Sequence, residues 1–163
     1  MRRCVPLVLF MLGCGSDDRA ARAADTGATI ARSADSVVAD ADTGCVLALP
    51  WRHCAVLDRL ERAGLAPQER GLVRQPFFTV EGRVYGLGDA ELQTFVFADS
   101  AAAAEQTAAL DSVRVSPPTM AIAWRRRPTL IRSQNLVAIL LSDDDRQTER
   151  VSLAIGAGLP AAP

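Results

Sequence analysis

Apolar positions are spread unevenly along this chain. Val5 to Leu12 form a short apolar run behind Arg2 and Arg3. From Gly15 to Gly44 the residues are Ala, Asp, Thr, Ser, Arg and Gly, with Ile30, Val37 and Val38 as the only large apolar side chains. Such a stretch cannot bury enough surface to offset its ordering entropy, so a flexible tether is expected there. From Cys45 onward the apolar residues become dense and periodic.

The periodicity predicts a sequence of elements. Val56, Leu57, Leu60 and Ala63 recur at helical spacing and Gly64 follows as a natural end, giving a first helix over about 54–63. Phe77-Phe78-Thr79-Val80, between Pro76 and Glu81-Gly82, reads as a short strand and turn. Arg83 to Leu87 forms a second strand, turning at Gly88-Asp89. Glu91 to Phe97 alternates, with Leu92, Thr94 and Val96 on one face and Gln93, Phe95 and Phe97 on the other. Apolar groups on both faces place this third strand inside a sheet. Asp99 or Ser100 caps a second, Ala-rich helix ending near Leu110. A long loop over 111–128 contains Pro117, Pro118 and Pro128. Thr129 to Leu141 returns as a hairpin turning near Ser133-Gln134-Asn135, its second strand the continuous apolar run Leu136 to Leu141. Ser142 or Asp143 caps a third helix with the stripe Gln147, Val151, Ala154 and Ile155, ended by Gly156 or Gly158. The order α-β-β-β-α-β-β-α predicts an α+β two-layer sandwich, a mostly antiparallel sheet with helices on one face.

The amino-terminal run carries an address. Two arginines, a short apolar stretch and a small residue follow the pattern of a secretory signal. The run is far below the roughly 20 residues that span a bilayer. Met11-Leu12-Gly13-Cys14 resembles the lipobox of bacterial lipoproteins. The resemblance implies removal of residues 1–13 and a diacylated Cys14, with palmitate among the acyl groups, leading a tether over 14–44 and a single domain over 45–163. Each buried acyl CH₂ adds about 0.8 kcal/mol of membrane affinity, so two or more chains anchor stably. Gly15 after the lipid-bearing Cys, with no Asp there, points to the periplasmic face of an outer membrane where the organism has one.

Charge narrows the partners. All 18 basic residues are Arg, against 19 acidic ones. Without Arg2 and Arg3 the balance is 16 against 19, or −3. That is a poor footprint for nucleic acid and gives no attraction to anionic lipid. Cys4 leaves with the signal and Cys14 takes the lipid, so Cys45 and Cys54 remain as an even pair in an exported chain. A disulfide is the usual fate of such a pair. Continuous helix would hold their Cα atoms about 13–14 Å apart, whereas a disulfide needs about 7 Å or less. Pro50 breaks such a helix, so a bent loop closed by Cys45–Cys54 is expected. Closing about ten residues gives roughly 2.5–3 kcal/mol in the chain-entropy picture.

Gln75 to Gly82, Leu92 to Ala104, Met120 with Trp124, and Leu130 to Leu141 together resemble small, uncharacterised envelope lipoproteins of bacteria. The likeness covers about residues 55–156 and implies location and fold, not an activity. Members often carry Pro-Pro-aromatic text after the Trp, where this chain has Arg125-Arg126-Arg127-Pro128.

Candidate chemistry is sparse. His53 is the lone histidine, which excludes mechanisms needing two. It adjoins Cys54, but neighbours in sequence rarely face each other and Cys54 is expected to be oxidised, so no catalytic residue is assigned. Asp143-Asp144-Asp145 with Glu149 lacks the alternation and glycine of a calcium loop, and acidic residues suit a helix's first turn. Gly82, Gly86 and Gly88 join strand to strand and lack a P-loop ending. No metal and no cofactor are expected. Trp124 with Arg125, Arg126 and Arg127, set among prolines, is the candidate binding patch, since Trp and Arg are enriched where partners dock. The expectation is a non-catalytic, lipid-tethered domain binding an envelope protein or small ligand. The alternative is a hydrolase using dispersed carboxylates and Arg.

Overall fold

A computed structural model describes Cys45 and residues 47–160. These fall in one compact unit, Asp40–Pro163. The signal, Cys14 and the tether lie outside the described residues.

The fold is α+β, in the expected order. It comprises α1 (His53–Arg62), β1 (Gln68–Val73), β2 (Gly82–Leu87), β3 (Ala90–Val96), α2 (Ser100–Ala108), β4 (Pro128–Ser133), β5 (Leu136–Leu141) and α3 (Asp145–Gly156). The five strands form one antiparallel sheet in the order β1-β2-β3-β5-β4. β3 is central, and every residue of β5 is buried. Both follow from strands that are apolar on both faces.

Alternation divides the core in two. Tyr85, Leu87, Leu92, Ile131, Leu136, Ala138 and Leu140 face α1 and α3, meeting Val56, Leu60, Val151 and Ile155. Phe95, Val137, Ile139 and Leu141 point the other way, toward Phe78, Phe97, Val115 and Ala103. Thus α1 and α3 make the helical layer, while Ala103 of α2 joins the opposite cluster together with loop residues.

Local chemistry sets the helix ends. Leu65 N–H donates to the Leu60 carbonyl and Gly64 N–H to that of Glu61, with Gly64 at φ +68°. This Schellman arrangement stops α1, and buried Leu65 packs in the cluster that also holds Leu60. Asp99 caps α2 by accepting from Ala102 N–H. The cap of α3 is Asp144, which accepts from Arg146 and Gln147 N–H, rather than Ser142 or Asp143. Ser142 supports it from before the helix, its hydroxyl accepting from Asp144 N–H.

The first strand differs from expectation. Phe77–Val80 is not strand, and β1 lies earlier, at Gln68–Val73. The phenylalanines are apolar because Phe78 plugs the second face, with ring centroids 4.7 Å from Phe95 and 5.6 Å from Phe97. β1 is an exposed edge held by backbone pairing to β2, so it shows no apolar alternation. Its charged side chains blunt that edge.

Candidate functional site

The second sheet face carries the most convergent polar chemistry. On β3, Gln93 is buried and Glu91 half-buried on this face, opposite Ile139 and Leu141 of β5. Gln75 Nε2 donates to Gln93 Oε1 at 2.7 Å, and Gln93 Nε2 to Glu91 Oε1 at 2.8 Å. This ladder satisfies the buried amide and aligns Glu91.

Two adjoining cavities open over the ladder. One, of about 350 Å³, is lined by Gln75, Glu91, Gln93, Ile122, Trp124 and Arg125 among others. The other, of about 200 Å³, is lined by Arg70, Asp89, Glu91, Arg125, Arg126 and Leu141. Glu91, Arg125 and Leu141 border both, so we treat them as one trough. Its size falls within the range of small-ligand sites, roughly 300–1,000 Å³.

Each arginine is placed by a local device. Register slips between Glu69 and Gly71, leaving Arg70 as the extra residue of a β-bulge, a feature that re-aims side chains. Its guanidinium lies against bare backbone at Gly86, where a Cβ would stand 2.3 Å from Arg70 Nε. Arg125 and Arg126 sit between two anchors. Trp124 is half-buried against the second cluster, and its indole N–H donates to the Arg114 carbonyl at 2.7 Å. Arg127 is drawn off to α3: its N–H donates to Asp143 Oδ1 and its guanidinium pairs with Asp145. The predicted four-residue patch is therefore divided. Trp124, Arg125 and Arg126 border the trough, whereas Arg127 fastens the loop. Arg70, Arg125 and Arg126 enter no ion pair or hydrogen bond among the described residues.

The loop behind Trp124 is tightly built. Asp111 Oδ1 accepts from Val113 and Arg114 N–H, and Asp111 N–H donates to the Ser116 carbonyl. The N–H groups of Arg114 and Val113 hold the Asp111 carboxyl below its usual range. Val115, fully buried, occupies φ +49°, a strained conformation for a β-branched residue.

A smaller cavity of about 180 Å³ lies on the helical side, lined by His53, Cys54, Leu57, Glu69, Arg83 and Tyr85. Arg83 Nη1 pairs with Glu69 Oε1 at 3.0 Å. Burial, then the Glu69 carboxylate, push the Tyr85 phenol up, opposed by Arg83. Cys54 and Cys45 stand at disulfide geometry, with Cα atoms 5.8 Å apart.

Sequence reasoning missed three contributors. Arg70 and Glu91 carry no motif, and only the bulge and the strand register bring them together. Asn135 was expected merely as a turn residue. It is buried and ties three segments: its Oδ1 accepts from Trp51 N–H at 2.8 Å, and its Nδ2 reaches the Trp51 and Phe97 carbonyls at 3.1 and 3.0 Å. A third cavity of about 360 Å³ beside it, lined by Leu49, Pro50, Asp99 and Gln134 among others, lacks free cationic groups.

Among the described residues no cluster of three or more His, Cys, Asp or Glu could hold a metal, and no helix is long and apolar enough to cross a membrane. No family model, curated protein or solved structure matches the chain.

Proposed function

We propose that this chain is an exported lipoprotein of the cell envelope, anchored through acylated Cys14, whose folded domain binds a small ligand or partner without catalysis. The lipobox-like Met11–Cys14, the polar run behind it and the resemblance to small envelope lipoproteins support the anchoring. One observation carries the binding role. Three guanidiniums without partners among the described residues converge on a trough floored by Leu141 and edged by the Gln75–Gln93–Glu91 ladder. Free guanidiniums beside apolar surface favour charge-assisted recognition. The displaced titrations of Tyr85 and Asp111 arise outside this trough. The second reading, an envelope hydrolase using dispersed carboxylates and Arg, finds its support in the cavity where Glu69, Arg83, His53 and Tyr85 meet.

The test is native mass spectrometry of the chain extracted gently from its own membranes. The expected spectrum has an acylated Cys14 start, two hydrogens fewer for the Cys45–Cys54 bridge, and a bound species that disappears in an Arg125→Ser/Arg126→Ser variant. A start elsewhere overturns the anchoring. Retention of the species in that variant moves the site away from the trough, and a released product that depends on Glu69 favours the hydrolase.

A further inference from the structure

The trough's charges are mixed in a way that selects a ligand class. Arg70, Arg125 and Arg126 supply three cations, and Asp89 and Glu91 two anions, within one small cavity. A simple anion would meet the carboxylates as well as the guanidiniums, and like charges at such range disfavour one another. A simple cation would meet the reverse conflict. A ligand with an anion and a cation a few bonds apart satisfies both sets. Leu141 adds an apolar wall shared by both cavities, and the adjoining cavity brings in Ile122 and Trp124.

Resting on the binding role proposed above, we infer that the trough takes a small zwitterion, a free α-amino acid or short peptide with an apolar side chain. Its carboxylate lies among Arg70, Arg125 and Arg126, where planar guanidiniums can pair in bidentate fashion. Its ammonium lies against Glu91 and Asp89. Its side chain extends over Leu141 toward Ile122 and Trp124. The Gln75–Gln93 amides, still holding an unused Gln75 oxygen among the described residues, offer hydrogen bonds to a peptide group. Gly86 is part of the design, because any side chain there would displace Arg70.

Calorimetric titration of the full chain with leucine, leucinamide, N-acetyl-leucine and glucuronate tests this. Leucine is expected to bind saturably, and leucinamide and N-acetyl-leucine at least tenfold more weakly, since each lacks one charge. An Arg125→Gln/Arg126→Gln variant should lose at least tenfold in leucine affinity. Glu91→Gln should remove most of the preference for leucine over N-acetyl-leucine, and Asp89→Asn, in an exposed turn, gives the same test without touching the ladder. If N-acetyl-leucine binds as well as leucine, the trough reads an anion alone; the zwitterion inference fails and the binding role stands. Preference for glucuronate makes it an acidic-sugar site and also overturns the inference. Silence with all four probes, while native mass spectrometry still finds an Arg125/Arg126-dependent species, rejects this ligand class alone. Silence together with an empty native spectrum rejects the binding role as well.

Discussion

The two faces of the sheet are built by different means. The helical face is closed by α1 and α3, whose buried residues recur at helical spacing and meet Leu92, Ala138 and Leu140 in continuous apolar contact. The opposite face is closed by α2, the Phe77–Phe78 turn and the 109–127 loop, fastened at single points: Phe78, Val115, Trp124 and Arg127. Regular packing leaves little room for polar groups. Point fastening leaves gaps between the fasteners, and the polar trough occupies such a gap. The loop residues bordering the trough are held over a rigid scaffold, β3 and β5.

This contrast can be broken or sharpened by experiment. The largest effect is expected from Leu140→Ala, on the helical face of β5 and fully buried. It should destabilise by about 2–5 kcal/mol in urea unfolding, because a cavity there cannot collapse against two helices. A cost below 1 kcal/mol would mean that this face is not the rigid one. A smaller loss, about 1–3 kcal/mol, is expected for Gly82→Ala, as overpacking forces shifts in a filled site. The new Cβ would stand 2.6 Å from Phe95 Cε1 and 2.7 Å from the Thr94 carbonyl oxygen. Because Phe95 belongs to the loop-covered face, the damage should appear as faster amide exchange near Phe78, with α3 protected.

The smallest effect is pH-dependent. Asp111 has a lowered pKa, so its contribution is present above the ordinary carboxylate value of about 4 and is lost as pH falls through the lower folded value. Between neutral pH and strongly acid solution, the protection factors of the Val113 and Arg114 amides, taken against the intrinsic exchange rate at each pH, should fall while that of Ile139 stays high. Asp111→Asn should flatten this response. An equal loss of protection at all three would show that acid acts on the whole fold and not on this loop.

Legibility in the sequence followed the same division. The helical spacing from Val56 to Ala63, the alternation of Glu91–Phe97 and the apolar run 136–141 marked elements whose burial is periodic, and the structure has them within a residue or two. Phe77-Phe78 misled because a buried turn and a strand use the same residues, while true β1 is polar, its place set by pairing that leaves no mark on composition. Trp124, Arg125 and Arg126 adjoin in the sequence, and all three border the trough. Arg70 and Glu91, which line the same cavity, were not legible, since they stand 55 and 34 positions before Arg125 and only a bulge and a cross-strand register place them there. Arg127 was grouped with its neighbours by adjacency alone; its carboxylate partner comes from a helix 18 positions further on.

The Cys45–Cys54 link has a mechanical meaning. A pull arriving from the amino-terminal side reaches the domain at Cys45, and the sulfur bridge passes it directly to the first turn of α1. Residues 47–53 are bypassed by that load, so Trp51 and its bonds to Asn135 and Ser133 are not peeled away. The Leu49 N–H bond to the Pro160 carbonyl, which joins the two ends of the fold, lies in the same sheltered segment. Reducing the bridge would reroute the force through that segment, turning a domain that resists traction as a block into one that unzips from its edge.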